Sequence, residues 1–122
     1  EEHGVDANRG VAINEMWDDM TAKDLTAKLW PQTERLKAWC AVLDAAASAR
    51  EVAHATPRLI GAAAGLVKYL TGPTPGLWYE TCLPSGHFIA EPSKASSLYH
   101  IVGAIEALGK TVATAIAAQA PR

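Results

Sequence analysis

The sequence has 122 residues, 49% of them hydrophobic, which is enough for one domain with a hydrophobic core. Its 11 basic and 13 acidic residues leave a formal charge of −2, and the absence of any long basic run argues against a nucleic-acid partner. Charged residues interrupt the alanine-rich segments, so we predict no membrane partner, and the charged opening EEHGVD does not resemble a secretory leader.

The two cysteines bear on the cellular compartment. Cys40 and Cys82 lie far apart and form no CxxC motif. We interpret them as reduced thiols of a cytoplasmic protein, and the sequence leaves a disulfide or a metal pair open as alternatives. We predict no metal site and no cofactor.

The segment before the first predicted helix reads as loops and one short strand. Residues 1–10 resemble the end of a helix that turns through Gly4 into a loop. Residues 11–17 alternate apolar and polar side chains, which predicts a short strand. A turn at residues 18–20 then leads back toward the next element.

Two helices are predicted in the middle of the chain. The first begins at Pro31, whose missing N–H would have no partner at the first helical position, and runs to residue 50. Its apolar stripe at helical spacing consists of Leu36, Trp39, Cys40, Leu43 and Ala47. A break over residues 50–57 precedes the second helix at residues 58–70, whose alanines and glycines would allow another helix to approach closely.

A hairpin and a third helix follow. The segment TGPTPG ends the second helix, and residues 77–91 are predicted to form a hairpin with the turn LPSGH. Pro92 and Ser93 open the third helix, whose apolar stripe consists of Leu98, Ile101, Val102, Ile105 and Leu108. Residues 110–122 are predicted to form one or two further helical turns and a frayed tail.

The first and third helices share an asymmetric pattern, with bulky side chains on one face and small ones on the other. The small stripes are Ala38, Ala41 and Ala45 in the first helix and Ser96, Gly103, Ala104 and Ala107 in the third. Each stripe begins with one ionisable group, Glu34 or His100. Because exposed faces normally carry charged residues, we interpret both stripes as enclosed and lining one cavity. Two simpler interpretations stay open, since Glu34 could complement the helix dipole and His100 could be a hydrogen-bonded core residue.

Three motifs in order carry a resemblance to a known family. They are LWPQTERLKA at residues 29–38, GLWYE at residues 76–80 and PSKASSLYHI at residues 92–101. Together they resemble the last third of the N-acylglucosamine 2-epimerase superfamily, which includes mannose isomerases and cellobiose 2-epimerases. The resemblance implies a mainly α fold, namely part of a six-hairpin α/α barrel with about three long helices and short β-hairpins. It also implies that residues 1–122 form a single domain from the C-terminal portion of such an enzyme.

The chemistry that this resemblance implies is isomerisation or C2 epimerisation of a reducing sugar through an enediol, without a cofactor. His100 matches the catalytic histidine of the family's YH motif, and an imidazole can take up and return a proton at neutral pH. Glu34 is the second residue predicted to act in catalysis. The predicted sugar-binding residues are Trp30, Gln32, Trp78, Glu80 and Ser97. A phosphorylated sugar is less favoured, because no glycine-rich phosphate loop is present.

The chain also departs from the family pattern. Family members are longer, and their partner histidine lies on an upstream helix, whereas His3, His54 and His87 match no family motif. We therefore expect an incomplete part of such an enzyme, inactive by itself, that forms a homo-oligomer to close the barrel. The alternative is a non-catalytic helical module that binds carbohydrate or another protein. A glycosidase or lyase would need a second carboxylate facing Glu34, which no motif supplies.

Overall fold

The computed structural model describes residues 1–72 and 74–119, and within them the fold is mainly helical. The elements follow in the order β1 (Val5–Asp6), β2 (Val11–Ala12), β3 (Glu15–Met16), β4 (Ala22–Asp24), β5 (Ala27–Lys28), α1 (Leu29–Asp44), α2 (Ala49–Leu70), β6 (Thr81–Cys82) and α3 (Ala95–Gln119). The strands form antiparallel pairs, β1 with β2, β3 with β4 and β5 with β6. The predicted mainly α class is confirmed. The described helices do not close a barrel, so the partial barrel stays a prediction.

Helix α1 is the centre of the fold. It packs along both α2 and α3, which contact each other much less. The core cluster consists of Val11, Ala27, Leu29, Leu36, Cys40, Leu59, Ala62, Leu66, Tyr69, Cys82, Ile101 and Ala104. The one hydroxyl in this cluster is satisfied, because Tyr69 donates to the carbonyl oxygen of Ala27 at 2.9 Å. Both cysteines are buried free thiols, and burial raises the pKa of Cys40.

The N-terminal segment is a β-hairpin, so the predicted helix end over residues 1–10 is wrong. Val5 lies opposite Ala12 in the β1–β2 pair. The turn is organised by the Asp6 carboxylate, which accepts hydrogen bonds from the backbone N–H of Asn8 at 2.9 Å and of Arg9 at 3.1 Å. The aspartate at position 6 and the glycine at position 10 therefore belong to a turn between two strands. In the sequence we interpreted this segment as the end of a helix.

The strand predicted over residues 11–17 is present as two shorter pieces. Val11–Ala12 belongs to β2 and Glu15–Met16 to β3, with residues 13–14 between them outside any strand. The two pieces pair with different partners, β1 and β4, so the chain must change direction between them. The alternation in the sequence was correctly located, but pairing limits each strand to two residues.

The boundaries of the first helix differ from those predicted. Helix α1 begins at Leu29, and Pro31 lies within its first turn rather than at its first position. Proline is tolerated there because the first N–H groups of a helix have no intrahelical partner. The predicted break over residues 50–57 is wrong, since the chain leaves helical structure only at residues 45–48.

Helix α2 begins earlier than predicted because its start is well capped. Ser48 accepts a hydrogen bond from the backbone N–H of Glu51 at 3.3 Å and donates to the Glu51 carboxylate at 2.9 Å. Pro57, which we took for the end of the break, lies inside α2 on an exposed side. The carbonyl that loses its partner belongs to the exposed Ala53, where water can replace the missing N–H.

The predicted hairpin after α2 is present in a short form. The backbone N–H of Leu83 donates to the carbonyl of His87 at 2.8 Å, and Cys82 forms an isolated bridge with Phe88. Strand β6, however, pairs chiefly with β5 rather than with residues 88–91. This pairing places β6, the last strand before α3, beside the beginning of α1.

Helix α3 is longer than predicted. It begins at Ala95, after the proline and serine that we expected to open it, and continues through Gly109 to Gln119. The final turns predicted after residue 109 thus belong to the same helix, and residues 120–122 of the predicted tail lie outside the described residues.

The predicted enclosure of the small stripes is wrong for α1 and holds only in part for α3. Ala38, Ala41 and Ala45 are exposed, whereas Ala104 of α3 is fully buried. The bulky residues of α3 that we expected to be covered, Leu98, Val102 and Ile105, are about half exposed. The reason is that α3 faces α1 with Ile101 and Ala104, and a small residue at this contact permits close packing of the two helices.

Among the described residues, one helix meets the length and composition criteria for a membrane span. Ala95–Ala118 of α3 is long and apolar enough and is largely exposed along that stretch. Mostly buried core helices meet the same criteria, and α3 differs from them in its exposure although it packs against α1. An apolar groove of about 600 Å³ also runs between α2 and α3. The expected homo-oligomer and the expected lack of a membrane partner stay predictions.

The close approach of α2 to the N-terminal hairpin predicts opposite effects for two glycine substitutions. A Cβ atom at Gly65 would lie 2.7 Å from the carbonyl oxygen of Gly10, whereas a Cβ atom at Gly103 would meet nothing within 4 Å. We expect Gly65→Ala to destabilise the fold by about 1–3 kcal/mol through overpacking. Gly103→Ala should stabilise it by about 0.5–1 kcal/mol, because alanine restricts the unfolded chain and favours the helix. Urea denaturation measures both, and equal stability of the two variants would contradict the described packing.

Candidate active site

A pocket of about 310 Å³ lies where the N-terminal ends of α1 and α3 meet. Its lining residues are Asn14, Lys28, Trp30, Glu80, Lys94, Ser96, Ser97 and His100. The pairing of β5 with β6 brings Glu80 next to Lys28 and Trp30, because β5 leads directly into α1 and Glu80 directly precedes β6. The pocket therefore collects side chains from all three sequence motifs of the chain.

The central feature of the site is the contact between His100 and Glu34. The Nδ1 atom of His100 lies 3.0 Å from Oε1 of Glu34, and the two side chains are 36% and 42% exposed. Each residue lies in the second turn of its helix, α3 or α1. Glu34 and His100, each predicted at the start of a stripe of small residues, thus form a contact between α1 and α3.

The environment of Glu34 keeps it ionised. Partial burial raises the pKa of Glu34, but hydrogen bonds and positive charge from Lys37 and His100 outweigh this effect, so the pKa lies below its ordinary value. Lys37 provides the shorter of the two contacts, with Nζ 2.7 Å from Oε1 of Glu34. At neutral pH, Glu34 is therefore a negatively charged hydrogen-bond acceptor.

This charge state decides the orientation of the His100 ring protons. An ionised carboxylate can only accept a hydrogen bond, so Nδ1 of His100 must carry a hydrogen. In the neutral ring, Nε2 is then left with a free lone pair, and Nε2 has no hydrogen bond to any residue in the described ranges. The arrangement provides a proton acceptor at the pocket, with a carboxylate behind it to stabilise the imidazolium.

Glu80, which we predicted to bind sugar, lines the pocket but has its own protein partners. It is 5% exposed, and its carboxylate accepts hydrogen bonds from Trp78, Lys94 and Ser97. Ser97 is also buried and donates its hydroxyl hydrogen to Glu80. Both residues are thus in the predicted place, with their polar atoms already engaged.

The two predicted tryptophans are in different environments. Trp30 is 51% exposed and lines the pocket, where its ring surface is accessible. Trp78 is half-buried against the core and donates its indole N–H to Glu80 at 2.8 Å. Its other side lines a separate cavity of about 470 Å³. Only Trp30 therefore offers a face to the pocket that contains His100.

Gln32 does not line the pocket. It has no exposed surface, and its carboxamide accepts from the backbone N–H of Ala12 at 2.8 Å and donates to the Ala12 carbonyl at 2.9 Å. A third bond, to the Lys28 carbonyl, is 2.9 Å long. Gln32 thus attaches β2 to α1, because all three of its hydrogen bonds go to backbone groups and it has no exposed surface for a ligand.

Some lining residues had no predicted role. Lys28 immediately precedes the LWPQTE motif and donates to the Thr81 hydroxyl at 3.1 Å, and Lys94 belongs to the PSKASS motif. The sequence could have indicated both lysines as pocket residues, because one lies next to a motif and the other within one. Arg35, a cation of the first motif, instead makes two 3.0 Å hydrogen bonds to the Glu1 carboxylate.

The remaining histidines do not contribute to this pocket. His54 lies beside Trp39 with ring centroids 6.0 Å apart, and Nδ1 of His87 lies 3.2 Å from the Ser85 hydroxyl. His3 is exposed. His100 is therefore the only imidazole among the residues that line the pocket in the described part of the chain.

The lowered pKa of Glu34 predicts how Glu34→Gln alters the pH dependence of stability. A carboxyl group with a lowered pKa in the folded state stabilises the fold above its ordinary value, near 4.5, and this contribution disappears as the pH falls through the lower folded value. We expect the wild type to be more stable than Glu34→Gln at pH 6–7, and the difference to shrink steadily below about pH 4.5. Urea unfolding across this range measures it. A difference that stays constant down to pH 2 would contradict the described pairing with Lys37 and His100.

Comparison with known proteins agrees with the motifs. The family model of N-acylglucosamine 2-epimerase (GlcNAc 2-epimerase) matches residues 1–104. A curated protein of Rhizobium meliloti (strain 1021), named mannose-6-phosphate isomerase, is 40% identical over 108 residues. This alignment covers 86% of the chain but only 27% of that relative, and no solved structure matches significantly. On the extent of the family match, the chain belongs to the N-acylglucosamine 2-epimerase family.

Proposed function

We propose that this chain supplies part of the active site of a carbohydrate isomerase, in which His100 moves a proton between adjacent carbons of an open-chain aldose. The observation that carries this proposal is the hydrogen bond from His100 to Glu34 at the edge of the polar pocket. Membership of a family of sugar epimerases supports the same type of reaction. The chain spans about a quarter of the length of its curated relative, so the activity of a whole protein is part of the proposal.

The first step is removal of the proton on C2 of the sugar. The lone pair on Nε2 of His100 takes this proton, and the electrons of the C–H bond form the C1=C2 double bond of an enediol while the aldehyde oxygen accepts a proton from solvent water. The imidazolium that forms is stabilised by the ionised carboxylate of Glu34 at 3.0 Å. Glu34 thus acts through the ring rather than on the sugar.

The second step returns the proton to C1. The imidazolium donates it from Nε2, the C2 hydroxyl gives its proton back to solvent water, and a ketose results. One imidazole can serve both steps, because C1 and C2 are adjacent on the same face of the enediol. Epimerisation at C2 would instead need a proton donor on the opposite face. The relative is named mannose-6-phosphate isomerase, and this name supports isomerisation as the reaction that we propose.

The lining of the pocket supports a sugar substrate that carries a negative charge. Trp30 offers an exposed ring for the apolar face of a sugar, and Asn14 and Ser96 offer polar groups. Lys28 and Lys94 add two positive charges, while the carboxylate of Glu80 is engaged by three protein donors. The relative is named mannose-6-phosphate isomerase. We therefore revise the expectation from the sequence and propose a phosphorylated mannose as the substrate, with free mannose as the second candidate.

Exchange of the C2 proton with solvent tests the role of His100. We expect mannose or mannose 6-phosphate in D₂O to gain deuterium at C2 and to yield the ketose, as followed by proton NMR. His100→Ala should lower this rate by about 100-fold or more, because general acid–base catalysis contributes about that much. The assay uses the native polypeptide purified from its source, because the 122 residues match only part of the relative.

The matched control is His87→Ala, which removes an exposed imidazole at the hairpin turn outside the pocket. It should leave the exchange rate unchanged. If His100→Ala exchanges the C2 proton as fast as the wild type, the proposed chemistry is wrong. Sugar binding without any exchange in the wild type would instead support a non-catalytic carbohydrate-binding module.

The proposed phosphate contact is tested by removing one charge from the pocket. Lys94→Gln should raise the KM for mannose 6-phosphate by about tenfold, which corresponds to about 1.4 kcal/mol, and should change the KM for mannose much less. Lys110→Gln makes the same charge change at an exposed site on α3 outside the pocket and is the control. Equal effects of Lys94→Gln on both sugars would argue against a phosphate at this position.

A further inference from the structure

Glu80 lies between the two helices that carry the proposed catalytic pair. Oε1 of its carboxylate accepts from the Trp78 indole N–H at 2.8 Å and from the backbone N–H of Lys94 at 2.7 Å. Oε2 accepts from the hydroxyl of Ser97 at 2.9 Å. Lys94 directly precedes α3 and Ser97 lies in its first turn, so the side chain of Glu80 binds the N-terminal end of α3.

The backbone of the same residue binds the other helix. The carbonyl oxygen of Glu80 accepts a hydrogen bond from the backbone N–H of Leu29, the first residue of α1, at 2.9 Å. This bond extends the β5–β6 pairing, in which Lys28 lies opposite Thr81. Glu80 thus contacts α1 with its backbone and α3 with its side chain, each at the beginning of the helix.

This double attachment bears on the geometry of the site. Glu34 and His100 both lie in the second turn of their helices, close to the points that Glu80 holds. A shift of either helix end would alter the 3.0 Å contact between them directly. Because Glu80 is buried and has three donors, it cannot rearrange without leaving polar groups unpaired, and such rearrangement is costly.

We propose that Glu80 is a positioning residue: it fixes the N-terminal ends of α1 and α3 relative to each other and thereby holds Nδ1 of His100 against Glu34. This proposal gives Glu80 a different role from the sugar ligand that the resemblance implied. The position of the His100 ring follows from the contacts alone, whereas the catalytic consequence rests on the proposed function. A carboxylate suits the task because its two oxygens accept several hydrogen bonds and its negative charge favours a helix N-terminus.

Two substitutions distinguish the effect of the length of the Glu80 side chain from the effect of its charge. Glu80→Gln keeps the length of the side chain, so its oxygen can still accept from Trp78 and Lys94 while its amide nitrogen donates to the Ser97 hydroxyl. Glu80→Asp keeps the charge but is one methylene shorter and cannot span from the hairpin to α3 in the same way. A role in positioning predicts that glutamine is tolerated and aspartate is not.

The experiment is nitrogen NMR of the histidine rings in the 122-residue chain, at a pH where the rings are neutral. In the wild type, Glu34 holds His100 in the tautomer with hydrogen on Nδ1, and Glu34→Ala provides the reference spectrum without this bond. We expect Glu80→Gln to keep the wild-type ring shifts. Glu80→Asp and Glu80→Ala should lose the Nδ1–H tautomer and move toward the Glu34→Ala spectrum. The signals of His54 and His87 serve as internal controls.

Circular dichroism establishes which variants are folded. If Glu80→Ala fails to fold, Glu80→Asp and Ser97→Ala decide the question, and Ser97→Ala should shift the ring signals part of the way because it removes one of the three donors. Wild-type ring shifts in folded Glu80→Asp would overturn the proposal, as would loss of the tautomer in Glu80→Gln. This result does not depend on turnover. If His100→Ala left proton exchange intact, the proposed function would be wrong. The positioning role of Glu80 would still be decided by the ring shifts.

Discussion

The anchoring of the first turn of α1 is the constraint on which the rest of the structure depends. Gln32 uses its buried carboxamide to bind both backbone polar groups of Ala12, and Leu29 donates its backbone N–H to Glu80. The first contact attaches the N-terminal hairpin to the central helix, and the second attaches the segment before α3. Buried hydrogen bonds of this kind are individually modest but expensive to leave unmade. They therefore hold the beginning of α1 against the N-terminal hairpin and against the segment that leads to α3.

The proposed active site follows from this anchoring. Once α1 and α3 start side by side, the second turn of each brings an ionisable side chain to the same place, and Glu34 and His100 form a hydrogen bond. The lowered pKa of Glu34 makes it the acceptor, which leaves the other ring nitrogen of His100 free as a base. The chemistry proposed for the pocket thus depends on helix placement as much as on the identity of the two residues.

Local sequence patterns predicted three helices and singled out Glu34 and His100, because helical spacing is a short-range property. The capping of α2 by Ser48 and the short β-hairpin at Asp6 were missed, although both have local signals in a serine–glutamate pair and in an aspartate near glycine. The role of Gln32 was beyond sequence reasoning, since its partner Ala12 lies on a distant strand. The exposure of Leu98, Val102 and Ile105 was also missed, because periodicity identifies a face without showing which neighbour covers it.

The most direct measurement of the central claim is a crystal structure with an open-chain sugar analogue, such as mannitol or its 6-phosphate, bound to the protein. The account predicts that the analogue occupies the pocket lined by Trp30 and His100, with its C1 or C2 carbon about 3–3.5 Å from Nε2 of His100. Nδ1 should keep its contact with Glu34. An analogue bound with these carbons out of reach of His100, or an imidazole whose Nε2 is sealed against protein atoms, would contradict the account.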